Sequence, residues 1–227
     1  MNALLQLPVA RLTRTPRAWI PMAAWSLFAF GAAVALHYAS PSASAGDALQ
    51  TAFGALALPL LAFAVVGVTL GGDGLARSVR SVVAFGAVPA RAALAEVLVA
   101  VAASALLASV VGILVATLSH GSSDPPLARD VLATAWIAAL GGAAYASLFA
   151  LGASFGARGG GRAWLLALDW MLGASDGSSG ILTPRAHVRS LLGGDAVASL
   201  SNVASAGMLV LLAVGFAALA VARSRRV

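Results

Sequence analysis

The sequence predicts an all-α bundle of six membrane-spanning helices, and three observations support this prediction. Apolar residues make up 60% of the 227 positions and charged residues only 10%, whereas a soluble domain has about 25% charged residues. The mean hydropathy is +0.94, so the chain has too little polar surface to cover a globule in water. The apolar runs also lack the two-residue alternation of membrane barrel strands, which favours helices.

The predicted spans follow from length, because a membrane-spanning helix needs about 20 mostly apolar residues. An N-terminal interfacial or cytoplasmic segment (1–17) precedes the transmembrane domain (18–222), and a cytoplasmic tail (223–227) follows it. The fifth span is the weakest, because Asp169 lies inside it and Gly173 and Gly177 follow closely. A full span and a re-entrant segment both remain open there. The predicted spans cover approximately residues 18–39, 51–71, 93–118, 131–155, 163–182 and 203–222.

The arginines predict the orientation of the bundle. All 14 basic residues are Arg, and only Arg129, Arg185 and Arg189 fall on one side of the predicted spans. An excess of basic residues marks cytoplasmic loops, so the split places both termini in the cytoplasm and favours an even number of spans. The arginines form no patch interleaved with aromatic residues, which argues against a nucleic-acid partner. The other side holds Arg11, Arg14, Arg17, Arg77, Arg80, Arg91, Arg158, Arg162, Arg223, Arg225 and Arg226.

The N-terminal segment has two open interpretations. Its leucines and arginines are typical of a short helix lying in the membrane interface, but a disordered tail that sets the topology fits equally well. Ala43-Ser44-Ala45 resembles the cleavage site of a signal peptide. The preceding apolar stretch is longer than the roughly 7–15 residues of such a leader, which argues against cleavage.

The loop between the second and third predicted spans contains a candidate amphipathic helix on the cytoplasmic side. Asp73 is a plausible N-cap, and Gly86 is positioned to end the helix. Arg77 and Arg80 fall on its polar face. The interpretation without a function is an interfacial helix that only anchors the topology. The apolar face is formed by residues at helical spacing, namely Leu75, Val79, Val82 and Val83.

The overall layout resembles the membrane subunit of an ABC-2 type transporter. The resemblance rests on the six spans with cytoplasmic termini, the N-terminal interfacial segment and the loop helix. It also rests on the turn Pro89-Ala90-Arg91 that leads into the third span and on the segment 183–194 before the last span. Family members usually have a Glu-rich stretch before the loop helix, where this sequence has only Asp73.

The resemblance implies a permease subunit in the bacterial cytoplasmic (inner) membrane, in contact with lipid. Separate cytoplasmic ATPase subunits would bind ATP and Mg, no cofactor would bind this chain, and a second permease subunit would complete the path. The residues that it implies near the ATPase are Asp73, Arg77, Val79, Arg80, Val83 and Arg91.

Two acidic residues in apolar surroundings are further candidates, because charges at membrane depth are frequently functional. Asp169 could face a transport path or a partner subunit, or it could meet water or an arginine if the fifth segment is short. Glu96 lies near the cytoplasmic mouth of the third span, where it could pair with a loop arginine or carry protons. Both residues are therefore candidates for a transport path or a buried polar site.

The same sequence argues against other classes of function. The glycine-rich loop 156–162 lacks the Gly-Lys-Ser/Thr ending of a phosphate-binding P-loop, so any ATP hydrolysis is expected in a partner. The absence of cysteine excludes disulfides and Cys-ligated metals. A membrane-embedded enzyme would need a recognisable catalytic spacing, which the scattered histidines and serines do not form. A non-transporting scaffold subunit remains an alternative to the permease.

Overall fold

The computed structural model describes residues 2–39, 45–72, 74–121, 124–156 and 158–224. Helices and connecting turns make up these ranges, and no strand occurs within them, so the all-α prediction is confirmed. The elements in chain order are α1 (Asn2–Arg14), α2 (Pro16–Ala39), α3 (Ala45–Ala48), a π-helical segment (Leu49–Ala57), α4 (Leu58–Thr69), α5 (Leu75–Val83), α6 (Pro89–Ser119), α7 (Leu127–Ala153), α8 (Gly161–Leu172), a 3-10 turn (Ser178–Leu182), α9 (Pro184–Leu191), a second 3-10 turn (Val197–Ser199) and α10 (Asn202–Ser224).

Within the described residues, five helical segments are long and apolar enough to cross a membrane. They overlap the first, second, third, fourth and sixth predicted spans, and they identify the chain as a multi-pass membrane protein. These segments are Trp19–Ala39, Gly46–Thr69, Pro89–Ser119, Leu127–Ala153 and Asn202–Ser224.

The fifth predicted span, 163–182, does not form one spanning helix. Its helix α8 has 12 residues and is therefore about 18 Å long, whereas the hydrocarbon core of a membrane is about 30 Å thick. Glycine has the lowest helix propensity after proline, and Gly173 stands where α8 stops. The chain then turns through the first 3-10 segment and continues as α9, so this region is a broken helix.

Several chain segments meet at one end of the bundle, which we call the arginine-rich end. Arg11 donates a hydrogen bond from Nη1 to the carbonyl of Thr69 at 2.9 Å, which brings α1 to the end of α4. Arg223 donates from Nε to Ser154 Oγ at 3.1 Å, which brings the end of α10 to the end of α7. The arginines at this end include Arg11, Arg77, Arg80, Arg91, Arg158 and Arg223.

The chain passes to the opposite end of the bundle between α8 and α10. Helix α10 has 23 residues and is therefore about 34 Å long. Because α10 ends beside Ser154, its first residue, Asn202, lies at the opposite end. Helix α8 begins near the end of α7, since a Cβ atom on Gly152 would lie 2.8 Å from Arg162 Cα. The broken segment therefore returns the chain across the bundle without one continuous helix.

Helix α7 lies at the centre of the bundle and packs against α4, α6 and α10. Its glycines permit the closest approaches. A Cβ atom on Gly142 would lie 2.7 Å from the carbonyl oxygen of Ser104 on α6, and one on Gly141 would lie 2.8 Å from Val188 Cγ2 on α9. Small residues at such contacts let helices pack tightly in lipid, where no hydrophobic force drives them together.

Candidate functional site

Helix α5 is amphipathic and lies against the arginine-rich end of the bundle. Leu75 and Val79 are fully buried, whereas Arg77 and Arg80 are exposed. The helix stops before Gly86, whose φ of +87° is a left-handed conformation that favours glycine. The prediction of an amphipathic helix between the second and third spans is therefore confirmed, while its cytoplasmic location stays a prediction.

A polar cluster of three side chains joins α5 to two other helices. Arg11 of α1 donates from Nη1 to Ser78 Oγ at 2.6 Å, and Ser78 donates to Glu96 Oε1 of α6 at 2.5 Å. The Arg11 nitrogen also lies 3.4 Å from Glu96 Oε1, as an ion pair. Glu96 is only 1% exposed, and breaking a buried ion pair leaves a costly unpaired charge. The cluster therefore fixes α5, α1 and α6 relative to one another.

The start of α5 packs closely on the loop between α7 and α8. The N-cap position is occupied by Gly74, with a φ of +89° and no side-chain cap. A Cβ atom on Gly74 would lie 2.9 Å from both the Ala153 carbonyl oxygen and the Gly159 amide nitrogen. Only glycine fits this contact without a shift of backbone. Asp73, which the sequence analysis proposed as the N-cap, lies outside the described residues.

The remaining predicted coupling residues divide between the core and the surface. Val79 belongs to the main hydrophobic core, and Val83 is half-buried against it. Both therefore hold α5 on the bundle rather than presenting a surface to a partner. Arg91 is exposed in the first turn of α6. The exposed face of α5 and this turn thus contain Arg77, Arg80 and Arg91.

Asp169 lies in the interior of the bundle, where it connects three helices. Its side chain is 2% exposed. Tyr145 of α7 donates its hydroxyl to Asp169 Oδ2 at 2.9 Å, and the backbone N–H of Arg185 donates to Oδ1 at 3.2 Å. Arg185 is the second residue of α9, so the carboxylate caps the N-terminus of that helix and interacts favourably with its dipole.

The arginines of α9 in turn stabilise the C-terminus of α8. Arg185 donates from Nη1 to the carbonyl of Trp170 at 3.1 Å, and Arg189 donates from Nη1 to the carbonyl of Ala174 at 2.8 Å. Arg189 also forms an ion pair with Asp176. Helix ends leave carbonyls without intrahelical partners, and non-helical backbone at membrane depth is tolerated only where protein satisfies it. The two halves of the broken segment therefore cap each other.

The π-helical segment supports the other end of α9. Gln50 donates from Nε2 to the carbonyl of Leu192, the C-cap residue of α9, at 3.1 Å. Gly54 faces the same helix, because a Cβ atom there would lie 3.0 Å from Leu192 Cδ1 and 3.5 Å from Val188 Cγ1. Helix α9 is consequently held at both ends by side chains from other elements.

The sequence did not point to four residues of these clusters, namely Arg11, Ser78, Tyr145 and Gln50. A signal existed for Ser78, because it occupies the apolar face of α5 three residues after Leu75, where a hydroxyl requires a partner. The sequence left two interpretations of Glu96, a pair with a loop arginine or a proton carrier; the side chain forms an ion pair, and its partner is Arg11 of the N-terminal helix rather than a loop arginine. The other three residues meet their partners only through tertiary packing, so local sequence held no signal for them.

The described residues contain no group of three or more His, Asp or Glu side chains that could hold a metal ion. No protein-family model, no curated protein and no solved structure matches the chain.

Proposed function

We propose that the chain is the membrane-spanning permease subunit of an ABC-2 type ATP-binding cassette transporter. It would form part of the translocation path in the bacterial inner membrane, together with a second permease subunit. Cytoplasmic ATPase subunits would bind ATP and Mg and drive the cycle. The observation that carries the proposal is α5, a short amphipathic helix between two spanning helices that is fixed to α1 and α6 through Ser78 and Glu96.

The attachment of α5 suits it to transmit force. Its apolar face is buried and its arginine face is exposed, so a soluble subunit could contact the arginines without entering the membrane. Because the Arg11–Ser78–Glu96 cluster joins three helices, a displacement of α5 would act directly on the start of α6. The contact proposed here consists of Arg77 and Arg80 on α5, and Arg91 in the first turn of α6 borders it without lying on that helix.

The broken segment supports the six-crossing topology of the proposal. Together, α8 and α9 return the chain to the opposite end of the bundle, so five spanning helices and one broken crossing leave α1 and the C-terminal end of α10 at the same end. The arginine distribution favours the cytoplasm for that end. In this scheme Asp169 has a structural role as the cap of α9.

Affinity purification from mild detergent, followed by mass spectrometry, tests the proposal. We expect a soluble subunit with a Walker A motif to copurify in stoichiometric amount. The alternative function is that of a non-transporting scaffold subunit, which could have the same arrangement of helices. An intact, oligomeric preparation without any ATPase would favour the scaffold and contradict the permease.

A charge reversal on α5 tests the coupling role. We expect Arg80→Glu to reduce the ATPase activity stimulated by the membrane subunit at least fivefold, since one lost interfacial charge pair costs about 1–2 kcal/mol or more. Arg129→Glu is the matched control, because Arg129 is exposed in the first turn of α7 at the opposite end. Equal stimulation in the two variants would remove α5 from the ATPase contact.

A further inference from the structure

The arginine-rich end contains a groove between α1 and α6 that none of the polar clusters explains. We call it the α1–α6 groove, and its volume is about 310 Å³, within the range of small-molecule sites. Its lining is apolar except for one guanidinium. The lining residues are Leu4, Leu5, Arg91, Leu94, Ala95 and Leu98.

The cation in the groove has no hydrogen-bond or ion-pair partner in the part of the chain that the structure describes. Arg91 is exposed, and among the residues that the structure describes it has no side-chain hydrogen bond and no ion pair. Arg11, by contrast, is occupied by Thr69, Ser78 and Glu96. The groove therefore combines a free positive charge at one position with leucine side chains along the rest of its length.

The apolar wall of the groove continues into the surface that faces lipid. Leu94 and Leu98 begin a row of exposed residues spaced four apart along α6, and the row runs the whole length of that helix. Each step of four residues turns the row by about 40° around a helix with 3.6 residues per turn, so the row winds away from the groove, and of its members only Leu94 and Leu98 line the groove. The further exposed members of the row are Ala102, Leu106, Val110, Leu114 and Leu118.

The depth of Arg91 suits a headgroup phosphate. Helix α6 has 31 residues and is therefore about 46 Å long, which exceeds the roughly 30 Å hydrocarbon core. The first turns of α6 consequently extend into the headgroup region when the rest of the helix spans the core. Arginine binds phosphate through two parallel hydrogen bonds, so Arg91 can hold a phosphate while the leucines hold the chain.

We propose that the α1–α6 groove binds an anionic phospholipid, with its phosphate on Arg91 and one acyl chain along Leu94 and Leu98. The two walls of the groove are the helices that the Arg11–Glu96 ion pair joins. A bound lipid would therefore brace α1 against α6 beside the attachment of α5. This proposal needs only the membrane-embedded chain and does not depend on an ATPase partner.

Native mass spectrometry of the purified chain tests the proposal. The protein in mild detergent is equilibrated with an equimolar mixture of phosphatidylglycerol and phosphatidylcholine, and the retained lipids are counted. We expect a preference for phosphatidylglycerol that Arg91→Gln reduces by about fivefold, the size expected for one arginine near an anionic surface. Arg80→Gln removes the same charge outside the groove and should leave the preference unchanged.

A second pair of variants tests the apolar wall and is independent of charge. Leu98→Ala should lower the retention of both lipids, whereas Leu106→Ala, on the same exposed row but outside the groove, should not. Equal effects of Arg91→Gln and Arg80→Gln, equal effects of the two leucine variants, or no preference in the unaltered protein would each overturn the proposal. Loss of the lipid when a soluble partner binds α5 would instead assign the groove to that partner and also overturn it.

Discussion

Asp169 shows how a single carboxylate can be satisfied inside an apolar bundle. It accepts hydrogen bonds from the Tyr145 hydroxyl and from the Arg185 backbone, and the N-terminus of α9 adds a favourable dipole. An intramembrane acid would otherwise be costly. The side chain thus replaces the capping residue that α9 lacks, since its N-cap, Thr183, makes no side-chain cap hydrogen bond.

Removing the Tyr145 hydroxyl should weaken this arrangement measurably. We expect Tyr145→Phe to lower the free energy of unfolding by about 1 kcal/mol, because Asp169 loses a hydrogen-bond donor in a dry site. Thermal unfolding in detergent measures the change. Ser147→Ala is the matched control, because Ser147 Oγ is a buried hydroxyl two residues away without a hydrogen-bond partner among the described residues. Equal destabilisation by the two variants would contradict the role assigned to Tyr145.

At the scale of elements, α5 is held by contacts of three kinds. Leu75 and Val79 anchor it through burial, and Ser78 attaches it through hydrogen bonds to Arg11 and Glu96. The backbone approach at Gly74 adds a third restraint at the start of the helix. An element nine residues long could not be stably helical alone in water, so these contacts are the reason that it forms.

The hydroxyl of Ser78 should therefore control how firmly α5 is docked. We expect Ser78→Ala to lower the local opening free energy of α5 by about 1 kcal/mol or more, because Glu96 keeps only its longer contact to Arg11. Hydrogen exchange of the amides in 75–83 should accelerate accordingly. Ser81→Ala is the control, since among the described residues the Ser81 hydroxyl bonds only to the Ser78 carbonyl of the same helix. Unchanged exchange in Ser78→Ala would show that burial alone holds the helix.

Local pattern predicted those elements whose apolar residues form one regular run or one helical spacing. The long apolar runs predicted the five spanning helices, and the spacing of Leu75, Val79 and Val82 predicted α5. The broken segment could not be placed in the same way. Its helix ends are satisfied by Asp169 and Arg185, which are 16 residues apart in sequence, so its conformation depends on tertiary contacts that hydropathy does not encode.

The polar clusters could be predicted from sequence only in part, and for the same physical reason. The isolated acids Glu96 and Asp169 were conspicuous in apolar runs. Their partners were not, because Arg11 is 85 residues from Glu96 and Tyr145 is 24 residues from Asp169. A buried charge can therefore be identified from the sequence, whereas the residue that pairs with it cannot.

At the scale of the whole molecule, charge and helix geometry agree on two distinct ends. Most arginines outside the broken segment collect at one end, with Arg129 at the other. Arg185 and Arg189, which the sequence placed in an outer loop, instead cap α8 within the broken segment. Both side chains cap helix ends. The difference in uncommitted positive charge between the two ends of the bundle is therefore larger than the arginine count of the sequence suggests.

The orientation of the whole bundle can be measured by cysteine labelling, because the natural chain has no cysteine and gives no background. We expect Ser81→Cys, on the exposed face of α5, to react with a membrane-impermeant maleimide only after the cells are permeabilised. Ala128→Cys, exposed at the opposite end, should react in intact cells. Both sites are small, exposed residues beside an arginine, so they differ chiefly in the side of the membrane that they face. Labelling of Ser81→Cys in intact cells would show that the bundle has the opposite orientation. Helix α5 could then contact no cytoplasmic ATPase.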